Sequence, residues 1–243
     1  MRRLSWFSCG AASAVASYMS VQEHPDTEVL YCDTLKYEHP DNKRFLKDVS
    51  RWIGKPIKML RSQEYSDIYD VFEKTGWLVG PLGARCTTEL KKNVRMEYQL
   101  PDDIHVFGFT VDEQKRIADF KDNFVDTRTD FILNRHFITK SDCYRILRDA
   151  GIKLPAMYLQ GYKNNNCIGC VKGGMGYWNK IRVDYPATFK RMAKLERKMG
   201  VTILKDRRGG KLVRMYLDEL EPGRGRYDAE PDIECGVLCK APT

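Results

Sequence analysis

Short apolar runs alternate with amphipathic stretches through the first half of the chain. Residues 42–53 carry Phe45, Val49 and Ile53 at helical spacing, whereas residues 27–32 form a short run of strand length. The predicted elements of this half are strands at 4–7, 27–32, 56–60 and 104–109 and helices at 11–19, 42–53 and 87–100. Strands that alternate with helices in this way predict an α/β fold, an open and mostly parallel sheet with helices on both faces.

The second half of the chain has a less regular pattern. Its predicted elements are helices at 140–150 and 186–199, a polar, glycine-rich loop at 164–176 and a basic loop at 205–211. We therefore divide the chain into an α/β domain at 1–160 and a small cysteine-bearing region at 161–243. We expect this second region to fold back toward the edge of the sheet at which ligands bind in α/β folds.

Composition narrows the class of protein. The chain has 243 residues, 42% of them hydrophobic, and none of its apolar runs approaches the ~20 residues of a membrane helix. The basic N-terminus lacks the apolar segment of an export signal, so we expect a cytoplasmic protein without a membrane partner. The net charge of +8 favours anionic partners such as nucleotides or nucleic acid, although a solvated basic surface gives the same balance.

A turn of small residues joins the first predicted strand to the first predicted helix. It consists of Ser8, Cys9, Gly10, Ala11, Ala12 and Ser13. Small side chains let a ligand approach the backbone, and the free N–H groups of a helix start, together with the helix dipole, favour an anion. The turn therefore predicts a site for a phosphate or sulfate group, with close packing of the first helix as the alternative. We call these six residues the phosphate loop.

Cysteines are the most unusual feature of the composition. Eight are present, and four of them form two close pairs, Cys167 with Cys170 and Cys235 with Cys239. In a chain without an export signal, cysteines are more often thiols, ligands or nucleophiles than disulfides. The C-x-x-C spacing of the first pair suits two ligands of one metal ion or a redox dithiol.

The phosphate loop resembles the PP-loop, Ser-Gly-Gly-Lys-Asp-Ser, of the adenine-nucleotide α-hydrolase-like superfamily. Within that superfamily, most of the chain resembles phosphoadenosine-phosphosulfate reductases and their phage-associated relatives. The other similar stretches are Asp33-Thr34, Arg85-Cys86-Thr87 with Glu89 and Lys91, Gly108 to Asp112-Glu113 with Arg116, and Glu234-Cys235-Gly236.

This resemblance implies a reaction and a role for individual residues. The substrate would be adenylyl sulfate or its 3′-phosphorylated form, and Cys235 would be the catalytic nucleophile that attacks its sulfate. A thioredoxin-like reductant would then release sulfite. The nucleotide-binding residues would be the phosphate loop together with Asp33, Thr34, Arg85 and Gly108.

Departures from the family pattern bear on the reaction. Ala11 and Ala12 stand where the PP-loop has Lys and Asp, and Thr110 stands where the reductases have an Arg. Enzymes that split ATP need a cation beside the polyphosphate, so the missing Lys argues against ATP cleavage. The departures therefore favour a reductase over an ATP-driven ligase.

Three arrangements of the cysteines stay open. In the first, which resembles adenylyl-sulfate reductases, Cys235 is the nucleophile and a [4Fe–4S] cluster is held by Cys86, Cys167, Cys170 and Cys239. In the second, a structural zinc ion is held by Cys167, Cys170, Cys235 and Cys239. In the third, no metal is bound and the cysteines are ordinary or redox-active thiols.

Two further functions stay open beside the reductase. One is an ATP-dependent sulfurtransferase that thiolates nucleic acid, which would use the basic surface and the paired cysteines. The other is a non-catalytic, zinc-stabilised module that binds a nucleotide or nucleic acid. Both are kept because one scaffold hosts several chemistries.

Overall fold

A computed structural model of the chain describes residues 1–80, 83–233 and 235, with the backbone alone at 207 and 208. Within these residues, no helix has both the length and the apolar character needed to cross a membrane. Cys239, and the two neighbours of Cys235 in the motif Glu234-Cys235-Gly236, lie outside the described residues.

A parallel sheet of five strands forms the centre of the molecule, with the strand order β3-β2-β1-β6-β7. Its strands are β1 (Arg3–Phe7), β2 (Glu28–Cys32), β3 (Ile57–Leu60), β6 (Ile104–Val106) and β7 (Thr129–Asp130). Two short antiparallel pairs lie outside it, β4 (Val79–Gly80) with β5 (Gly83–Ala84) and β8 (Leu204–Arg208) with β9 (Lys211–Met215). The predicted α/β fold with a parallel sheet is confirmed.

The helices lie between and after the strands of the sheet. They are α1 (Ala11–Glu23), α2 (Asn42–Ile53), α3 (Ile68–Thr75), α4 (Arg85–Thr87), α5 (Asn93–Tyr98), α6 (Gln114–Asn123), α7 (Ile132–Arg135), α8 (Lys140–Asp149), α9 (Ala156–Leu159), α10 (Met175–Asp184) and α11 (Pro186–Met199). A π-helical turn, Thr88–Lys92, joins α4 to α5. The capping box of Thr139 and Asp142 starts α8 at the predicted residue.

Alternate strand residues enter two different hydrophobic clusters, one on each face of the sheet. Phe7 and Tyr31 pack with Phe45 of α2 and Leu147 of α8, whereas Trp6 and its neighbours pack on the opposite face against α5 and α6. This alternation follows from the two-residue repeat of a β-strand. The sheet is therefore covered by helices on both faces.

A third hydrophobic cluster lies beside the sheet and contains residues from both sides of position 160. It joins Phe72 of α3 to Trp178 and Ile181 of α10 and to Met192 of α11. The division of the chain at 160 stays a prediction. The cluster also contains Leu78 and Leu90. It therefore packs the C-terminal region against α3 and against the π-helical turn that follows α4.

Local structure differs from the sequence prediction at two places. The strand predicted at 104–109 ends at Val106, because the chain turns toward the phosphate loop there. The basic loop predicted at 205–211 is wrong, since β8 and β9 form a hairpin across Gly209-Gly210. Both glycines have positive φ, 55° and 78°, which is the geometry that matches the twist of a two-residue hairpin.

Candidate functional site

The phosphate loop lies at the point where the strand order of the sheet reverses. β1 pairs with β2 on one side and with β6 on the other, so the loops that follow β1 and β6 diverge at the carboxyl edge. Gly108, in the loop after β6, touches the phosphate loop so closely that an added Cβ would lie 2.7 Å from the backbone nitrogen of Ser13. Open α/β sheets bind ligands in the crevice at this point.

The phosphate loop is held by its own serines and begins α1 without a side-chain cap. The Ser13 hydroxyl accepts hydrogen bonds from the backbone N–H and the hydroxyl of Ser8, each at 3.1 Å, and donates to the Gly10 carbonyl at 3.0 Å. Gly10 is the N-cap residue of α1 and makes no side-chain cap hydrogen bond, whereas the first-turn N–H of Ala11 donates to the Tyr158 hydroxyl at 3.4 Å. The first turn contains no acidic residue either, so both the backbone and the helix dipole suit an anion.

A cavity of about 360 Å³ opens beside the phosphate loop. Five members of the loop line it, namely Ser8, Gly10, Ala11, Ala12 and Ser13. Trp6, Phe7 and Phe109 supply an apolar wall of aromatic rings. A pocket with an apolar wall and a few convergent polar groups is the usual form of a small-molecule site.

Cations from other elements line the cavity, although the phosphate loop itself carries none. Lys91 comes from the π-helical turn, Lys140 from α8 and Arg116 from α6. The guanidinium of Arg116 lies 4.0 Å above the ring of Phe109, also a cavity residue, and pairs with Glu113 at 2.5 Å. The cavity therefore has cations in its wall despite the alanines at positions 11 and 12, together with the carboxylates of Glu38, Asp112, Glu113 and Asp232.

Cys235 lines the same cavity as the phosphate loop. The Lys91 ammonium donates to its sulfur at 3.7 Å, and the Thr87 hydroxyl lies 3.6 Å from the sulfur. Burial disfavours the thiolate, but Lys91, Lys172 and Thr87 outweigh burial and lower the pKa of Cys235 below its ordinary value. A thiol with a lowered pKa in an electropositive site is the form that reacts as a nucleophile.

The pKa values of the other described cysteines are shifted upward, opposite to that of Cys235. Burial raises the pKa of Cys86, Cys167 and Cys170, which are neighbours of Cys235. It also raises the pKa values of Cys32 and Cys143 to about 12 and that of Cys9. Among the seven cysteines that the structure describes, Cys235 alone has a lowered pKa.

A π-helical turn places the two partners of Cys235. Thr87 ends α4 and Lys91 lies within the turn Thr88–Lys92, four positions later. A π-helical turn inserts an extra residue into a helix, shifts the side chains that follow it and often occurs at functional sites. The irregular helix therefore positions a hydroxyl and an ammonium group toward one sulfur atom.

Backbone and side-chain contacts hold the C-terminal segment over the cavity. The Glu230 carboxylate accepts from the N–H groups of Gly176 and Tyr177, at 2.6 and 3.1 Å, and so caps α10. Asn166 donates to the Ile233 carbonyl at 2.9 Å, and Lys140 pairs with Asp232 at 3.0 Å. These contacts hold residues 230–233, which precede Cys235, and so bring its thiol to the carboxyl edge of the sheet.

Four of the predicted nucleotide-binding residues do not line the cavity around the phosphate loop. Asp33 and Thr34 line a separate groove of about 680 Å³ beyond β2, where Asp33 pairs with Arg61 at 2.8 Å. Arg85 pairs with Glu89 at 2.8 Å. Cys9 is fully buried and belongs to the core beneath the loop. Gly108 and the rest of the phosphate loop do meet at the cavity.

Three of the predicted metal ligands lie near Cys235 in the described part of the chain. Cys86, Cys167 and Cys170 are close enough to Cys235 for their charges to interact. Within the described part of the chain, no three His, Cys, Asp or Glu side chains are arranged to hold a metal ion. Because Cys239 lies outside that part, the cluster and zinc arrangements stay predictions, and no step below is derived through a metal.

Sequence reasoning missed three residues that shape the cavity. Lys140, Tyr158 and Asn165 all line it, and the Tyr158 hydroxyl accepts from the Ala11 N–H at 3.4 Å. Tyr158 lies in the short helix α9, and Asn165 lies in the loop just before Cys167. The one available signal was the position of Lys140 at the N-terminus of a predicted helix, where a cation opposes the helix dipole.

Comparison with known proteins does not assign the chain to a family. No protein-family model matches it, and no curated protein does.

Proposed function

We propose that this chain is a sulfonucleotide reductase-like enzyme that acts on adenylyl sulfate or its 3′-phosphorylated form. One observation carries the proposal: the cysteine with the lowered pKa, Cys235, lines the same cavity as the phosphate loop at the start of α1. A nucleophile and a phosphate or sulfate site within one cavity are what a thiol attack on a sulfated nucleotide requires.

The bound nucleotide would be oriented by its two ends. The phosphosulfate lies against the amides of the phosphate loop, with Lys140 and Lys91 balancing its charge. The adenine packs against the apolar wall that contains Trp6, Phe7 and Phe109. This orientation directs the sulfate sulfur toward Cys235.

The reaction then proceeds in two displacements. The Cys235 thiolate attacks the sulfate sulfur, the new S–S bond forms, and the bond from that sulfur to the bridging oxygen breaks, so the nucleotide leaves as its 5′-phosphate. A thiolate of an external dithiol of the thioredoxin type next attacks the sulfur of Cys235. Sulfite leaves with the bonding electron pair, and the second thiol of the dithiol releases Cys235 as the dithiol becomes a disulfide.

Substitution of the nucleophile tests this mechanism. We expect Cys235→Ser to abolish sulfite release from adenylyl sulfate while AMP still binds. Without a reductant, the wild-type protein should gain the mass of one SO₃ group on the peptide that contains Cys235. Cys143→Ser, in the core beneath α1, is the matched control and should keep its activity once folding is verified.

Two outcomes would contradict the proposal. Full sulfite release by Cys235→Ser would exclude the nucleophile. Turnover of ATP to AMP that is stimulated by tRNA or DNA, without sulfite release, would instead support the sulfurtransferase.

The cofactor predictions have a test of their own. Anaerobically purified protein with iron and acid-labile sulfide would support a [4Fe–4S] cluster, and colourless protein with equimolar zinc would support the zinc site. Zinc bound through Cys235 would remove it as a free nucleophile, so the metal content also bears on the mechanism.

A further inference from the structure

The second residue of the phosphate loop has a backbone conformation that cysteine disfavours. Cys9 has φ of 55°, in the left-handed region, and its side chain is fully buried. For a residue with a Cβ this conformation costs on the order of 1–2 kcal/mol. Some contact must therefore hold Cys9 in place if the loop is to keep this shape.

A chain of buried amides ends at the carbonyl of Cys9. Asn165 donates from Nδ2 to the Cys9 carbonyl at 2.7 Å and to Oδ1 of Asn42 at 2.8 Å, so both its N–H groups are used. Asn42 in turn donates from its own Nδ2 to the Glu38 carboxylate at 2.7 Å. Asn165 is 6% exposed, Asn42 is fully buried and Glu38 is 5% exposed.

The carboxylate at the far end fixes the direction of this chain. Glu38 also accepts hydrogen bonds from the hydroxyls of Tyr31 at 2.7 Å and Thr34 at 2.6 Å, so its carboxylate oxygens are the acceptors in all three contacts. Asn42 must then present its NH₂ to Glu38 and its oxygen to Asn165. Asn165 must therefore present its NH₂, and the carbonyl of Cys9 has a donor in a fixed position.

We propose that Asn165 is a positioning residue that holds Cys9 in its left-handed conformation and so preorganises the phosphate loop for an anion. This inference adds to the proposed function, and the choice of AMP as the ligand rests on that function. Because a peptide unit is planar, anchoring the Cys9 carbonyl also fixes the direction of the Gly10 N–H. An amide that is already aimed does not lose binding energy to reorganisation.

The experiment measures the affinity for AMP by titration calorimetry in four variants. Asn165→Leu removes the donor at similar volume and should weaken AMP binding about tenfold, which corresponds to about 1.4 kcal/mol. Cys9→Gly alone is the reference with which the affinity of the double variant for AMP is compared. The double variant should lose only about twofold, because glycine populates left-handed φ about as readily as right-handed φ.

The matched control is Asn179→Leu. Asn179 also ties two backbone carbonyls, those of Glu221 at 3.0 Å and Arg224 at 2.7 Å, but it does so on α10. We expect it to lower the thermal unfolding midpoint without changing the affinity for AMP. A purely structural role for Asn165 would give the same pattern.

Rescue separates the alternatives. Recovery of affinity in the double variant, while its unfolding midpoint stays low, supports the positioning role. Unchanged affinity in Asn165→Leu, or no recovery with Cys9→Gly, overturns it. If AMP binds and Cys235→Ser still releases sulfite, the proposed function fails and this inference is unaffected. If neither the wild type nor any variant binds AMP, the proposed function and this inference are both overturned.

Discussion

The ammonium group of Lys91 donates to the sulfur of Cys235 at 3.7 Å. Burial disfavours the charge on Lys91, but Cys235 and the neighbouring acidic groups raise the pKa of Lys91 well above its ordinary value. The two residues, both partly exposed, thus stabilise each other's charged forms. Removing either partner leaves the other charge without compensation.

Lys91→Met should therefore make Cys235 less reactive. Without the ammonium group, burial dominates and the pKa of the thiol rises, so less thiolate is present at neutral pH. We expect alkylation of Cys235 by iodoacetamide at pH 7 to slow about fivefold or more, and its pH profile to move to higher pH. Peptide mass spectrometry of quenched samples measures both.

An exposed lysine of α11 provides the comparison for this variant. Lys190→Met removes the same charge from a surface position and should leave the alkylation profile of Cys235 unchanged. Equal profiles for Lys91→Met and the wild type would show that Lys91 does not activate the thiol.

Gly108→Ala should move apart the loops that follow β1 and β6, which meet where the strand order of the sheet reverses. The added Cβ would lie 2.7 Å from both the N and Cα atoms of Ser13, so the backbone must move. We expect a loss of stability of about 1–3 kcal/mol and a marked loss of AMP affinity. Thermal unfolding and calorimetric titration measure the two effects.

Gly54→Ala distinguishes a general loss of stability from a local effect. Gly54 ends α2 with φ of 73°, and an added Cβ meets no atom within 4 Å. This variant should lose about 1 kcal/mol through backbone strain and keep its AMP affinity. Equal AMP affinities for Gly108→Ala and Gly54→Ala would argue against a binding role for the loop contact.

Glu230→Ala should release the segment that carries Cys235. The carboxylate caps α10 through the N–H groups of Gly176 and Tyr177, and a lost cap costs about 1 kcal/mol. We expect sulfite release to fall several-fold while AMP affinity stays the same, since the phosphate loop is untouched. Glu221→Ala, an exposed glutamate earlier in the segment, should leave both unchanged; a parallel loss of AMP binding in Glu230→Ala would point to wider unfolding.

Glu196 should give the stability of the protein a pH dependence of unusual sign. Burial raises the pKa of this fully buried carboxyl to about 7, although it accepts from the N–H groups of Ile203 and Leu217 at 2.5 and 2.7 Å. Between the unfolded value of about 4.5 and pH 7, the folded state binds more protons than the unfolded state. Stability due to this group therefore falls as pH rises, by on the order of 3 kcal/mol.

Glu196→Gln should remove that slope. Chemical denaturation between pH 5 and pH 8 is expected to give an advantage of the wild type over the variant that shrinks as pH rises. Parallel stability curves for the two proteins would show that Glu196 does not titrate in this range.

Local features of the sequence predicted four of the five strands of the sheet and the helices α1, α2, α8 and α11, but not the strand β7 or the helices α3 and α6. Continuous apolar runs marked β1 and β2, and the helical repeat ending at Ile53 and the capping residue Thr139 marked α2 and α8. The β8–β9 hairpin was missed because its Gly209-Gly210 turn was read as part of a basic loop. The helix α10 was missed because its start, at Met175, follows a glycine-rich loop.

For the candidate site, the sequence predicted some of the parts but not their arrangement. The small residues of the phosphate loop and the paired cysteines identified two of its parts, because a strand-to-helix turn and a thiol have intrinsic chemistry. The sequence by itself thus determined the fold class and the small-residue turn before α1, and its resemblance to the reductases supplied the candidate nucleophile.

Only the tertiary structure decided which of these parts meet. It brought Cys235 and Lys91, 144 positions apart, to one cavity, and it placed Asp33 and Arg85 outside that cavity. It also placed the Lys140 ammonium group at the cavity and the Asn165 amide against the Cys9 carbonyl. No local pattern of the sequence marks Asn165. The physical reason is that charge interactions and hydrogen bonds depend on distance in space, which the packing of distant segments sets and local periodicity does not.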